Sequence, residues 1–169
     1  MYFKNNRITL VALDLKHLDQ VINWINNEEI SESSTSRFPV GIEQQKEWIL
    51  KTVKNKSKQK LIIQNEKLEN VGMVSIMNID MRNSNAEVGV YIDPMFMRKG
   101  YAAEALKMVI DFAFKELNLF KLYANIHQDN MKSISLFEKL NFKFESKFIK
   151  EIYKKGEYTD LIRYYILNN

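Results

Sequence analysis

Apolar and polar positions alternate through NRITLVAL, residues 6–13, with the two-residue period of a half-buried strand. The period then changes. Over 14–27, Leu15, Leu18, Val21, Ile22 and Ile25 recur at three- and four-residue steps, which predicts a helix, and Trp48, Ile49 and Val53 predict another over 41–55. Between them EISESSTSRFPV, 29–40, is polar, contains Pro39 and reads as a loop. Strands are expected at about 60–65 and 71–79 around a KLEN turn at 67–70, and a turn and strand over 82–94 that Pro94 ends. Helical spacing is strongest from 99 to 117, where Ala102, Leu106, Val109, Ala113 and Leu117 form one apolar face. LFKLYANI, 119–126, is an uninterrupted β-rich run, as expected of a strand buried on both faces. NMKSISLFEKLN, 130–141, predicts a helix capped by Asn130 and ending at a left-handed Asn141. FKFESKFIKEIY and EYTDLIRYYIL close the chain as two strands around Lys155 and Gly156. The order β-α-α-β-β-β-α-β-α-β-β describes an α/β fold, a mixed sheet flanked by helices, and by itself says nothing about activity.

Composition narrows the classes. The 169 residues show no repeat, low-complexity tract or linker, so 1–169 reads as one domain, and 46% hydrophobic residues make it globular. No run approaches the roughly 18 apolar residues of a membrane span. Asp14 interrupts the short apolar patch at the start and no cleavage site follows, so no secretory leader is expected. The chain has no cysteine, which excludes disulfides, thiolate metal sites and cysteine nucleophiles and fits a cytoplasmic protein. His17 and His127 lack metal-ligand spacing, so each reads as structural or exposed and no metal is expected. A net charge of +4 admits nucleic acid as a partner. The lysines, however, are scattered, as in KTVKNKSKQK at 51–60, and a positive field serves a phosphorylated small cofactor as well.

The candidate chemistry centres on MRKGYAAEAL, 97–106, where a strand ends at Pro94 and a helix begins at or just after Gly100. The first turn of a helix carries unpaired N–H groups and the positive end of the helix dipole. Phosphate binds there when no side chain blocks its approach. Gly100, Ala102 and Ala103 leave that approach open, and Arg98 and Lys99 add charge. The segment lacks the second glycine and the Gly-Lys-Ser/Thr ending of the common nucleotide loop.

In order and content these segments resemble the GNAT family of N-acetyltransferases over nearly the whole chain. The family's acetyl-CoA loop reads Gln/Arg-x-x-Gly-x-Gly/Ala, and here Met97-Arg98-Lys99-Gly100-Tyr101-Ala102 stands in its place. AEVGVYIDPMF (86–96) is similar to the family's preceding strand and NMKSISLFEKLNF (130–142) to its later helix, while GYAAEAL and KKGEYTDLIRYYIL look most like the RimJ/RimL-type branch. That branch contains spermidine, amino-sugar and ribosomal-protein N-terminal acetyltransferases. The resemblance implies a mixed, mostly antiparallel sheet of about seven strands flanked by about four helices, with acetyl-CoA as cosubstrate. It implies that the amides of Arg98, Lys99, Gly100, Tyr101, Ala102 and Ala103 hold the pyrophosphate. Val90, Tyr91 and Ile92 would meet the pantetheine arm where the strands splay, and Asn130 and Ser133 would lie along the cofactor or simply cap their helix. Met97 replaces the usual first residue of the loop and removes one polar contact.

The implied reaction is direct attack of a primary amine on the thioester in a ternary complex. An alkylammonium of pKa roughly 10 must lose its proton first, and the carbonyl oxygen needs a donor as it becomes negative. Glu87 is the candidate base, directly or through water, and the strand N–H of Val90 or a neighbour the candidate donor. The tyrosine that commonly protonates the leaving thiolate in this family is replaced by Phe137, seven residues after Asn130. Tyr91 and Tyr123 are outside candidates for that proton. The acceptor groove of the family maps to the first two helices, their loop and the last hairpin. There Glu28, Glu29, Glu32, Glu157 and Asp160 suit a cationic amine, and Arg37 and Phe38 suit an amino-sugar nucleotide. Polyamine, amino sugar and protein N-terminus therefore stay open as acceptors, as does assembly into a homodimer or higher homo-oligomer. A second reading is a non-catalytic acyl-CoA-binding or sensing module, which Met97 and Phe137 favour.

Overall fold

A computed structural model of the chain describes residues 3–31, 38–154 and 156–168. The alternating segment forms β1 (Ile8–Ala12), and the next helix starts as a single 3-10 turn, Leu15–His17, before α1 (Leu18–Ile25). Asp14 causes that tighter start: its carboxylate accepts from the Leu15 N–H, while its own N–H donates to His17 Nδ1 at 3.1 Å. His17 is thus a buried capping residue, and burial lowers its pKa. The segment expected as loop from 29 contains a short helix, α2 (Glu28–Ser31). Next come α3 (Ile42–Lys54), β2 (Gln59–Asn65), β3 (Asn70–Asp80), β4 (Asn85–Ile92), α4 (Tyr101–Lys115) and β5 (Lys121–His127). The chain closes with α5 (Met131–Lys139), β6 (Lys143–Lys154) and β7 (Glu157–Leu167).

The seven strands form one sheet in the order β1-β2-β3-β4-β5-β7-β6. Every neighbour pair is antiparallel except β4 and β5. Residues on alternate faces feed two cores. On one face Leu61, Val74, Val88 and Ile126 pack with Ala105, Leu106 and Val109 of α4 and with Ile134 and Phe137 of α5. On the other, Ile62 and Met73 pack with Val21 and Trp24 of α1, Ile30 of α2 and Ile49 of α3. The helices thus cover one face along α4 and α5, and the other only over β1 to β4. None of the described helices is long and apolar enough to cross a membrane.

Two local readings change. In α3 the inward face is Gln45, Ile49 and Thr52, while Trp48 and Val53 lie outward. The helix is turned so that its i, i+4, i+7 row meets the sheet, and Trp48 covers the Lys60 stem at the rim, with the ammonium 5.5 Å from its ring centre. In β5 only Leu122, Ala124 and Ile126 are buried, so the strand is covered on one face, because α1 and α3 stop short of it. Asn141 does end its helix in the left-handed region, at φ +65°. Gly72 permits a close approach of β3 to β4, since a Cβ there would sit 2.3 Å from the Tyr91 carbonyl oxygen.

Candidate active site

The site begins where β4 leaves β5. Their parallel ladder has three rungs, Asn85–Lys121, Ala86–Leu122 and Glu87–Tyr123, after which β4 runs on to Ile92 and β5 to His127 without pairing. On its other side β4 stays bonded to β3 as far as Ile92. The Asp93 N–H donates to the Val71 carbonyl on the β3 side, at 2.9 Å. By the alternation of an antiparallel ladder, the N–H of Val90, three residues earlier, then faces the gap. An unpaired strand edge beside a cleft is a set of hydrogen-bonding groups that a ligand with amides of its own can satisfy. The side chains on either side of that edge face opposite cores: Val90 packs on the α4 side, and Tyr91 turns its edge to Trp24 with ring centres 5.4 Å apart. Tyr91 is half-buried, desolvation of its hydroxyl raises its pKa, and that hydroxyl donates to Met73 Sδ at 3.8 Å, so it is a packing residue.

β4 then leads through a 3-10 turn, Pro94–Phe96, into the loop before α4. Arg98 and Gly100 both adopt left-handed backbone, at φ +61° and +85°, and Gly100 is the N-cap of α4 with no side-chain cap. Alternating handedness folds successive N–H groups around a concavity that suits an anion. The first backbone bond of the helix is made by the Glu104 N–H to the Gly100 carbonyl, at 3.2 Å, which leaves the preceding amides free to turn on a ligand. A Cβ at Gly100 would meet only Arg7 Nη1, at 3.6 Å, so the glycine is required by its backbone angle more than by crowding. Ala102 and Ala103 are half-buried, and Tyr101 is buried in the core and anchors the turn. Arg7, at the entrance to β1, donates to the Lys99 carbonyl at 2.7 Å and pairs with Glu104.

On the opposite face of the sheet, at the vertex of the split, lies Glu87. Its Oε2 accepts from Asn78 Nδ2 at 2.9 Å, and Asn78 is brought there by a left-handed kink in β3, φ +51°. Next along β4, Gly89 offers no side chain, and the neighbours of that open position are Met77 and Ser75. Lys60 on β2 reaches across the same face to Met77 Sδ, 4.0 Å away. Burial lowers its pKa to about 8, reinforced by Lys58 and opposed by the charge of Glu87. The open half of this face carries Tyr123, Asn125 and His127 of β5. Arg163 of β7 lies 4.4 Å from the Tyr123 ring centre and 5.0 Å from that of Phe148, donating to Asn125 Oδ1 at 2.9 Å. His127 Nδ1 is buried without a hydrogen-bond partner among the described residues, and burial and Lys154 lower its pKa against the pull of Asp129.

The α5 residues behave as their positions require. Asn130 Oδ1 accepts the Ser133 N–H at 3.1 Å, a helix cap, and Phe137 is buried with its ring 5.0 Å from that of Phe142. A phenyl ring there holds the core and carries no proton. Among the acceptor candidates, Glu28 and Phe38 are exposed, Glu29 lies in α2, and Glu32 and Arg37 fall outside the described residues. Glu157 is exposed at the start of β7, whereas Asp160 pairs with Lys147 at 2.6 Å and accepts the Lys150 N–H. The structure therefore gathers Glu87, Val90 and the 98–103 loop around one split, and engages Asp160 in holding the last hairpin. Arg7 and Lys60 had no local signature: the first contacts the loop from 92 residues away, and the second reads as one lysine of a solvated run.

A family model for the acetyltransferase (GNAT) domain matches residues 7–143. A spermidine N(1)-acetyltransferase of Vibrio cholerae is 26% identical over 165 residues, 98% of this chain and 95% of that protein. Its Escherichia coli K12 counterpart is 35% identical over 95 residues, about half of each chain at 56% and 51%. A crystal structure of the V. cholerae spermidine N-acetyltransferase in complex with CoA and spermine superposes with a TM-score of 0.91, at 26% identity and 96% coverage of both chains.

Lys60 gives this face a measurable pH signature. Its folded pKa of about 8 lies below the ordinary 10.5, so the native state binds fewer protons than the unfolded chain between those values and gains stability as pH rises through them. Below about pH 8 the buried ammonium costs its full penalty. Lys60→Met is therefore expected to stabilise the protein at pH 7 by about 1–2 kcal/mol, with the gain disappearing by about pH 10.5. Urea unfolding across that range checks it, and a gain independent of pH would show that Lys60 is not desolvated.

Proposed function

The chain belongs to the GNAT acetyltransferase family and is an acetyl-CoA-dependent N-acetyltransferase, and from that premise we propose that its acceptor is a polyamine of the spermidine class. The observation that carries this reading is the end-to-end likeness to a relative crystallised with CoA and spermine. It supports reading the chain as a spermidine acetyltransferase of the RimJ/RimL-type branch, and we take it to act as a single domain in the cytoplasm. A further V. cholerae spermidine N-acetyltransferase structure is dodecameric, which supports a homo-oligomer here.

In this reading the amides of residues 98–103 bind the pyrophosphate and the β4 edge from Val90 to Ile92 pairs with the pantetheine arm, while the Asn130 turn flanks it. The Val90 N–H, facing the split, donates to the thioester oxygen as it becomes negative. Glu87, at the vertex on the face opposite α4, takes the ammonium proton, directly or through water; the freed amine attacks the carbonyl carbon, and as the C–S bond breaks the nitrogen sheds its second proton to water. Coenzyme A leaves as a thiolate. Phe137 offers it no proton, but a thiol of pKa about 8.5 is a fair leaving group near neutral pH, and water completes the step. Glu28, with Glu29 and Glu32 close to it in sequence, supplies negative charge for the remaining ammonium groups of a polyamine.

Free coenzyme A release across spermidine, spermine, an amino-sugar nucleotide and Ala- and Ser-starting peptides is expected to be fastest with the polyamines. Tight acetyl-CoA binding without release from any amine would instead support the acyl-CoA-binding module. Glu87→Gln should lower kcat/KM for spermidine about 100-fold at pH 7, the size of one general-base contribution. That deficit should shrink as pH approaches the amine pKa, where free amine needs no base; a pH-independent or absent deficit would remove Glu87 from the chemistry. Phe137→Tyr should raise kcat several-fold below pH 8 with the acetyl-CoA KM unchanged, and identical turnover would mean that water already protonates the thiolate without limiting the rate.

A further inference from the structure

We infer that Arg7 is a positioning residue for the cosubstrate's pyrophosphate: it turns the Lys99–Gly100 peptide so that its N–H faces the anion, and it neutralises Glu104 in the same turn. The inference rests on the assignment of residues 98–103 as the phosphate loop. A trans peptide holds its C=O and N–H on opposite sides of one plane. Among the described residues no peptide bond is cis, and Arg7 Nη2 holds the Lys99 carbonyl at 2.7 Å. The Gly100 N–H of that same peptide is thereby directed away from Arg7 and into the concavity. The guanidinium lies on the other side of the loop, near enough that a Cβ on Gly100 would be 3.6 Å from Nη1, so it fills the β1 flank and leaves the opposite flank to the ligand.

The loop needs such a brace. Arg98 is a non-glycine residue at φ +61°, a conformation that costs energy unless its surroundings impose it. Glu104 stabilises the start of α4 through the helix dipole, yet an unpaired carboxylate there would repel an incoming anion. Arg7 Nη1 donates to one Glu104 oxygen and Asn5 Nδ2 to the other, at 3.2 Å. Asn5 also fixes Arg7 itself, its Oδ1 accepting the N–H groups of Arg7 and Ile8 at 2.8 Å each. The Arg7 guanidinium completes the clamp 5.5 Å over the Tyr101 ring. Planar donors on two sides of one group are within the reach of arginine and beyond that of lysine.

The test compares two acetyl donors on the full-length protein: acetyl-CoA, and S-acetylpantetheine, which carries the same thioester arm without phosphates. For Arg7→Gln, the calorimetric Kd for coenzyme A and the KM for acetyl-CoA should rise about tenfold with kcat unchanged, while kcat/KM with S-acetylpantetheine stays within about twofold of wild type. Adding Glu104→Gln should recover part of the lost affinity. Arg7→Lys, which keeps the charge, should show an intermediate loss and serves if the glutamine variant does not fold. Unchanged coenzyme A affinity, or equal losses with both donors, would overturn the inference. Wild-type protein that fails to bind coenzyme A would overturn the cofactor assignment beneath it, a separate and earlier result in the same titration.

Discussion

Backbone groups left without partners are costly unless something satisfies them, and in this chain the parting of β4 from β5 after Glu87–Tyr123 leaves a run of them at the centre of the sheet. Much of the surrounding architecture serves to keep that gap open. β4 is held from the other side by its full ladder to β3, whose close approach at Gly72 admits no side chain. β5 is held by a full ladder to β7. Separate cores on the two faces fix the walls: Trp24 and Tyr91 on one, Val88, Leu106 and Phe137 on the other. With both walls fixed by their outer neighbours, the gap does not close on itself.

Charge is distributed around the split with the same economy. On the phosphate side, two left-handed residues and the start of α4 supply partial positive charge from backbone groups, and the one carboxylate in that turn is paired with Arg7. On the amine side, Glu87 is bonded to Asn78 and sits in the field of a half-buried Lys60. In the proposed reading an anion and an amine thus meet different electrostatics on the two faces of one sheet, with a glycine, Gly89, leaving space beside Ser75 and Met77.

The sequence disclosed those parts of this arrangement whose physics is local. Gly100 stands at the start of a helix, Asn130 caps α5 through the Ser133 N–H, and Asn141 ends it at positive φ, as the residue types suggest. The order of strands and helices followed from periodicity. What periodicity cannot give is rotation and coverage. Nothing in α3 marks Trp48 as its outward edge rather than its centre, because either row of a helix with apolar residues on two sides can face the sheet. Nor does β5 announce that one face is bare, since Tyr123, Asn125 and His127 are compatible with cover that is simply missing. Arg7 and Lys60 acquire meaning only through partners on strands and helices far along the chain.

The three-rung ladder between β4 and β5 has a consequence for how the protein holds together. In the sheet the molecule is two half-sheets, β1–β4 and β5–β7–β6, joined by a short seam. A ligand whose amides pair with the free edge extends that seam from within and acts as a removable strand. Its binding free energy then adds to the cohesion of the fold by mass action, about 2.7 kcal/mol when free ligand stands a hundredfold above its Kd. In the proposed reading the thioester donor is such a strand, a structural component on loan, so that the supply of the compound the protein consumes also favours its intact form.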